Sequence, residues 1–280
     1  MSKTKIAITV TGALIAIAAV GIGIWFGVVR AHSSKYNLIT LKNRELPAPQ
    51  KPTEDAFVQL SDVNMHFVKY GEGEKTVILL HGNGGSAKSL SEAAAYLANE
   101  YTVYCLESRC HGQSSDPGVI TYDLMAKDVY EFINAKGLVK PFVMGHSDGG
   151  MVALAAASHY PDLLGAVISC GSNSNPKTLK SFFRTNVKIS NAFKPDKLND
   201  LMLTLPDFTP EFLGRITAPV LVVAGEFDIM PLSDTVYIHE NIANSEIAIV
   251  KMANHSSYIS HDGKQAYVLA HDYFSKIQGM

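Results

Sequence analysis

Six short apolar runs punctuate this chain: Val77–Leu80, Thr102–Leu106, Phe142–Met144, Ala166–Ser169, Val220–Ala224 and Ile247–Val250. Each is too short for a helix and rich in Val, Ile or Leu, the pattern of strands buried on both faces of a parallel sheet. Stretches of helical character separate them: Ser86–Asn99, Thr121–Lys136, Gly149–His159, Ser233–Ile242 and His261–Ile277. Thr121 stands where an N-cap belongs and Asp123 falls in the first turn, where negative charge suits the helix dipole. Ahead of the first run, Phe57–Leu60 and Met65–Tyr70 flank Ser61-Asp62-Val63-Asn64 and read as a hairpin. This alternation predicts an α/β fold, a mostly parallel doubly wound sheet whose sites gather at the carboxyl ends of its strands. Residues 172–212 interrupt it without a convincing strand and read as a small helical cap insertion.

Composition narrows the possibilities further. Hydrophobic residues make up 47% of the 280, enough to bury a core, so disorder over most of the length is excluded. A formal net charge of -2 gives no field of one sign, and the chain is not expected to bind nucleic acid. The three cysteines form no CxxC pair, and the histidines show no H-E-x-x-H spacing, so neither a disulfide framework nor a metal site is expected.

Much of the hydrophobicity sits at the start. Ile6–Val29 contains no charged residue, and a helix of that length would be roughly 36 Å long, enough to cross a bilayer. Lys3 and Lys5 precede it, Arg30 follows it, and Trp25 and Phe26 lie near one end, where aromatic residues favour the membrane interface. The run exceeds the apolar core of a cleaved signal peptide. The expected organisation is therefore a transmembrane anchor at 1–30, a linker at 31–55 marked by Pro47, Pro49 and Pro52, and a folded domain at 56–280. A single-pass protein with its domain on the extracytoplasmic side is the expected arrangement.

The chemistry centres on Gly145-His146-Ser147-Asp148-Gly149, a G-x-S-x-G sequence between an apolar run and a helical stretch. A serine on a sharp strand-to-helix turn needs small neighbours two residues away on each side, and the turn lifts its oxygen above the sheet. A free serine is a poor nucleophile, so a base and an orienting acid are required. Asp228 and His255 each follow an apolar run, on the sheet edge expected to carry Ser147. Glu226 is an alternative acid that lies closer to its strand, and Asp207 is a more remote one inside the cap. Backbone donors for a developing oxyanion are assigned to Asp148, at the head of its helix, and to Asn83 in His81-Gly82-Asn83-Gly84-Gly85, the loop after Val77–Leu80. A Cys110–His111 thiol–imidazole pair is disfavoured, because sequence neighbours rarely adopt that geometry.

These residues together resemble a serine hydrolase of the α/β-hydrolase superfamily, from about Phe57 to the C-terminus. A further family loop, usually Asp-x-Arg-Gly-x-Gly-x-Ser, reads here Glu107-Ser108-Arg109-Cys110-His111-Gly112-Gln113-Ser114. The Ser-Asp-Gly-Gly elbow is similar to that of small esterases. Epoxide hydrolases and haloalkane dehalogenases of this fold carry an Asp where Ser147 stands. The resemblance implies a carboxylesterase acting on small or medium acyl esters through Ser147, His255 and Asp228, without a cofactor. On the same three residues a lipase, lactonase or carbon–carbon bond hydrolase is the alternative, and a non-catalytic anchored binding protein is the reading from another class. In the cap, Asn175-Pro176 is a helix start. With a helix running on from it, Leu179, Phe182, Phe183, Ile189 and Phe193 are expected to share the face that roofs the site, opposite Lys177, Lys180, Arg184 and Lys188.

Overall fold

The computed structural model describes residues 38–41, 45–259 and 263–279. The expected anchor at 1–30, and 31–37 and 42–44 of the expected linker, lie outside them. Among the described residues no helix is long and apolar enough to cross a membrane. The described residues from Ile39 onward form one compact unit.

Its elements follow in the order β1 Pro52–Gln59, β2 Asn64–Tyr70, β3 Lys75–Leu80, α1 Ser91–Leu97, β4 Tyr101–Leu106, α2 Tyr122–Ala135, β5 Phe142–His146, α3 Asp148–His159 and β6 Ala166–Cys170. Three cap helices come next: α4 Ser181–Phe193, α5 Lys197–Thr204 and α6 Pro210–Leu213. Then come β7 Val220–Phe227, α7 Leu232–Glu240, β8 Ser245–Asn254 and α8 Lys264–Gln278. The strands lie side by side as β8-β7-β6-β5-β3-β4-β2-β1. From β4 to β8 all neighbours are parallel, whereas β1–β2 and β2–β4 are antiparallel.

Alternation within β3 shows why both faces must be covered. Ile78 and Leu80 enter one core with Val129 and Phe132 of α2 and Val152 of α3, while Val77 and Leu79 enter the other with Leu97 of α1 and Phe274 of α8. Successive side chains of a strand point to opposite faces, so a run without polar residues demands helices on both. α2 begins where its sequence places it, with Thr121 Oγ1 accepting from the Leu124 amide at 3.1 Å.

One boundary differs from the expected one. β1 starts at Pro52, inside the expected linker, because Glu54 and Asp55 pair with Lys69 and Val68 of β2. The Gln50 amide also donates to the Ala95 carbonyl at 2.8 Å, and Ile39, Leu41 and Leu46 pack against the core beneath α1 and α8. The three prolines did not keep this stretch off the domain: an edge strand tolerates proline at its first residue.

The cap is helical, as its sequence indicates, but its register is not. Asn175 caps only a short turn at Pro176–Thr178, its side chain accepting from the Lys177 amide at 2.9 Å. Leu179 and Lys180 are then extended, and α4 starts at Ser181. Leu179 and Phe183 turn inward, while Phe182, Ile189 and Phe193 of the expected roofing face point to solvent.

Candidate active site

Ser147 sits between β5 and α3 with φ 56 and ψ -119, a conformation few L-residues adopt. The turn is held by its neighbours. The Ser147 amide donates to the Cys170 carbonyl of β6 at 2.7 Å, and the Gly150 amide donates back to the Ser147 carbonyl at 2.9 Å. A Cβ on Gly145 would lie 2.1 Å from the Gly149 carbonyl oxygen, and one on Gly149 would lie 2.2 Å from that of Leu80. Both positions of the motif therefore exclude a side chain, because backbone atoms cannot move aside cheaply.

Two further strand ends complete the arrangement. Asp228 directly follows β7 and His255 directly follows β8. The His255 Nδ1–H donates to Asp228 Oδ1 at 2.7 Å, and its Nε2 lies 3.1 Å from the Ser147 hydroxyl, which donates to it. Asp228 is buried and also accepts from the Gly225 and Ile229 amides at 3.1 and 2.7 Å. Burial alone would raise its carboxyl, but the His255 contact and these two amides outweigh it and hold the pKa below the ordinary carboxylate value. The group stays ionised, as a partner for an imidazole that gains a proton must.

The other acid candidates lie elsewhere. Glu226 belongs to β7, and its Oε2 accepts from the Met252 amide of β8 at 2.9 Å. Asp207 is exposed in the cap and accepts from the Asn175 side chain. Cys110 and His111 do not pair. Cys110 Sγ donates to Asp116, His111 Nδ1 donates to the Arg109 carbonyl, and burial with the Asp116 carboxylate pushes the thiol up to about 11. In the departures from the family loop, Cys110 adopts φ 63, where glycine is usual, and Glu107 accepts from the Ala87 amide and contacts His66 Nδ1 at 3.0 Å. The loop is thus tied down despite both exchanges. Among the described residues no cluster of His, Cys, Asp or Glu could hold a metal.

The loop after β3 comes close to Ser147. A Cβ on Gly82 would be 3.0 Å from Ser147 Cβ, so this glycine sets how near the backbone can approach. The side chain of Asn83 donates to Asp148 Oδ2 at 3.0 Å and to the Leu198 carbonyl of α5 at 3.1 Å. The amide of Asp148 is the first of α3 and has no acceptor within its own helix. Its carboxylate is buried, accepts from Tyr122 at 3.1 Å as well, and has its pKa raised by burial against the opposing effect of those two donors.

Ser147, His255, Gly82, Asn83, Tyr122 and Asp148 border one cavity of about 360 Å³, with Asp228 buried behind His255. Its apolar wall comes from Leu179 and Phe183 at the cap, Met202 of α5, and Ile229 and Met230 after Asp228. Two contributors are less visible in the sequence. His146 lines the cavity, and its Nε2–H donates to the His255 carbonyl at 2.7 Å. Burial, then the charge of His255, lowers its pKa to about 4, so the ring is neutral at physiological pH. Lys180 donates from its amide to the Ile229 carbonyl at 3.0 Å and from Nζ to the Asp228 carbonyl. His146 was signalled by its place inside the Gly-rich motif; Lys180 was expected on the cap face turned away from the site, and the structure instead ties it to Asp228 and Ile229.

Residues 75–202 match a family model described as the alpha/beta hydrolase fold. The human serine hydrolase BPHL is 25% identical over 241 residues, covering 73% of this chain and 81% of that protein. Seven further curated relatives are matched over 28–53% of their length. The crystal structure of a thermophilic esterase from Thermogutta terrifontis superposes with a TM-score of 0.65 at 21% identity, over 81% of this chain and 99% of that one. An enol-lactonase from Burkholderia xenovorans superposes at 0.63 with 17% identity, over 79% and 99%. At these identities the two structures speak to the fold alone.

Proposed function

The chain belongs to the α/β-hydrolase superfamily and is esterase-like, and from this premise we propose that it is a serine carboxylesterase acting on small or medium acyl esters. The observation that carries the reading is the hydrogen-bonded series from Ser147 through His255 to the buried Asp228, with Ser147 and His255 bordering a partly open, partly apolar cavity.

In this reading Ser147 Oγ attacks the ester carbonyl carbon while His255 Nε2 takes its proton. Asp228 holds the imidazole in the tautomer with hydrogen on Nδ1 and stabilises the cation. The amides of Asn83 and Asp148 bind the oxyanion, a contribution worth about 10²–10³ in rate per donor in serine enzymes. The C–O bond then breaks, and the leaving alcohol departs with the proton from His255. Water, deprotonated by the same nitrogen, attacks the acyl-enzyme; the acid leaves and Ser147 regains its hydrogen. The apolar wall of Leu179, Phe183, Met202 and Met230 suits an acyl chain, and the cavity is of a size that holds a small substrate. No cofactor is needed. The uncharged run Ile6–Val29 supports a further element of the proposal, a membrane-anchored enzyme with its domain on the extracytoplasmic side; protease accessibility in intact cells tests that part.

A fluorophosphonate probe labels only an activated serine, and a series of p-nitrophenyl esters of rising chain length reports the acyl preference. Labelling at Ser147 with turnover of short or medium esters is the expected result. A folded protein that takes no label is a binding protein on this fold, and the reading fails.

A further inference from the structure

The outer face of α4 carries large apolar side chains that no described residue covers. Phe182 is 81% exposed, Ile189 51% and Phe193 88%. They recur at spacings of seven and four and so form one stripe along the helix, about 16 Å from end to end. The opposite face carries Phe183, which lines the cavity, and the buried Val187. Those two hold the helix to the domain, so the outer stripe is not needed for folding. Three exposed large apolar residues on one short helix form a patch that calls for an occupant.

Charge indicates which one. Between Lys177 and Lys197 the chain carries six cationic side chains against a single carboxylate, Asp196. Asp196 is engaged in capping α5 through the Leu198 amide, and Lys197 pairs with Asp116. Lys188 and Lys194, both exposed beside the stripe, pair with no carboxylate among the described residues. An apolar stripe bordered by unpaired lysines is the surface of a helix lying in the headgroup region of an anionic bilayer. A second copy of the same face would set lysines against lysines. The chain also carries the uncharged run Ile6–Val29 ahead of the domain, which suits residence beside a membrane.

We propose that the Phe182–Ile189–Phe193 face of α4 docks on an anionic lipid surface, so that the cap is the part of the domain that meets the bilayer. Phe182 and Phe193 bury their rings among the acyl-chain ends while Lys188 and Lys194 engage lipid phosphates. The cavity wall at Phe183 is then one helix diameter from the lipid. The proposal does not depend on the chemistry assigned to Ser147.

Hydrogen exchange on the full chain in nanodiscs tests it, comparing phosphatidylcholine discs with discs that also contain phosphatidylglycerol. Amides of Ser181–Phe193 should exchange roughly tenfold more slowly in the anionic discs. The slowing should vanish in the variant Phe182→Ser, Ile189→Ser, Phe193→Ser. Lys188→Gln and Lys194→Gln should each weaken association about fivefold. Unchanged exchange in α3 reports that the variants remain folded, since all the substituted side chains are exposed. Equal exchange in both discs, or slowing that survives the triple replacement, overturns the proposal. Slowing without lipid that grows with protein concentration assigns the face to a second copy and also overturns it.

Discussion

The imidazole of His146 donates to the backbone carbonyl of His255 at 2.7 Å, so the residue before Ser147 holds the backbone of the residue that accepts from Ser147. The two loops are thereby locked to each other independently of the Ser147–His255 bond. His146→Ala should leave the fold intact and lower kcat about 10- to 100-fold with little change in KM, since loss of that tie lets His255 drift from Ser147. Steady-state kinetics on a p-nitrophenyl ester decides it; wild-type kcat in the variant would mean that the tie is dispensable.

Removing the hydroxyl in Ser147→Ala should cost at least about a thousandfold in kcat/KM. Asp228→Asn should cost about 10⁴-fold, because the amide side chain favours the wrong imidazole tautomer. Glu226→Gln should stay within about threefold, as Glu226 serves the Met252 amide and not His255. If Glu226→Gln is the more damaging of the two acid replacements, the acid has been misassigned.

The placement of Ser147, Asp228 and His255 at one sheet edge was legible in the sequence for a physical reason. Each directly follows a strand with an apolar run, and in a parallel sheet strand ends share one edge whatever the intervening chain does. The cap offered no such constraint. On one continuous helix Leu179, Phe182, Phe183, Ile189 and Phe193 would share an arc of about 120°, but the extended backbone at Leu179 and Lys180 breaks the helix and resets its phase. Tertiary contact chose Phe183 and Val187 as the inward pair. The start of β1 was obscured likewise, since its pairing with β2 is a long-range event and its first residues are proline-flanked and polar.

His81, buried, and His146, half-buried at the cavity, set the acid limit. Burial lowers His146 and His81 each to about 4 from 6.5. Between those values the unfolded chain takes up protons that the folded chain refuses. Stability should therefore be full above about pH 6.5 and fall as the pH drops towards 4, by up to about 3 kcal/mol per histidine. Urea unfolding across that window measures the slope, and His81→Gln should roughly halve it. A slope unchanged by that replacement would remove His81 from the account.

Arg109 is fully buried and grips Asp128 through Nε and Nη2 at 2.7 and 2.6 Å, with Asp62 at 3.0 Å. Asp128→Ala leaves that guanidinium without its main partner and should destabilise the fold by about 3–5 kcal/mol. Turnover per folded molecule should hold, because Asp128 does not border the cavity. Thermal unfolding and active-site titration separate the two effects.

A chain starting at Ile39 should be more stable than one starting at Asp55. The shorter chain loses three residues of β1 and the apolar contacts of Leu41 and Leu46. The expected deficit is about 1–3 kcal/mol, read as a lower denaturation midpoint. Equal midpoints would mean that the stretch only lies against the domain.

Polar ties join the cap to the reactive centre at two places: Lys180 to the carbonyls of Asp228 and Ile229, and Asn83 to both Asp148 and Leu198. The inward apolar residues Leu179, Phe183 and Met202 share the cavity but hold nothing in place by side-chain hydrogen bonds. The molecule thus separates what can drift from what cannot. Exchanges at those three positions can reshape the substrate repertoire over evolutionary time, or in a laboratory library, while the machinery beneath keeps its geometry. Exchanges at Lys180 or Asn83 alter selectivity and rate together, and lineages diverging in substrate should keep the second pair and vary the first three.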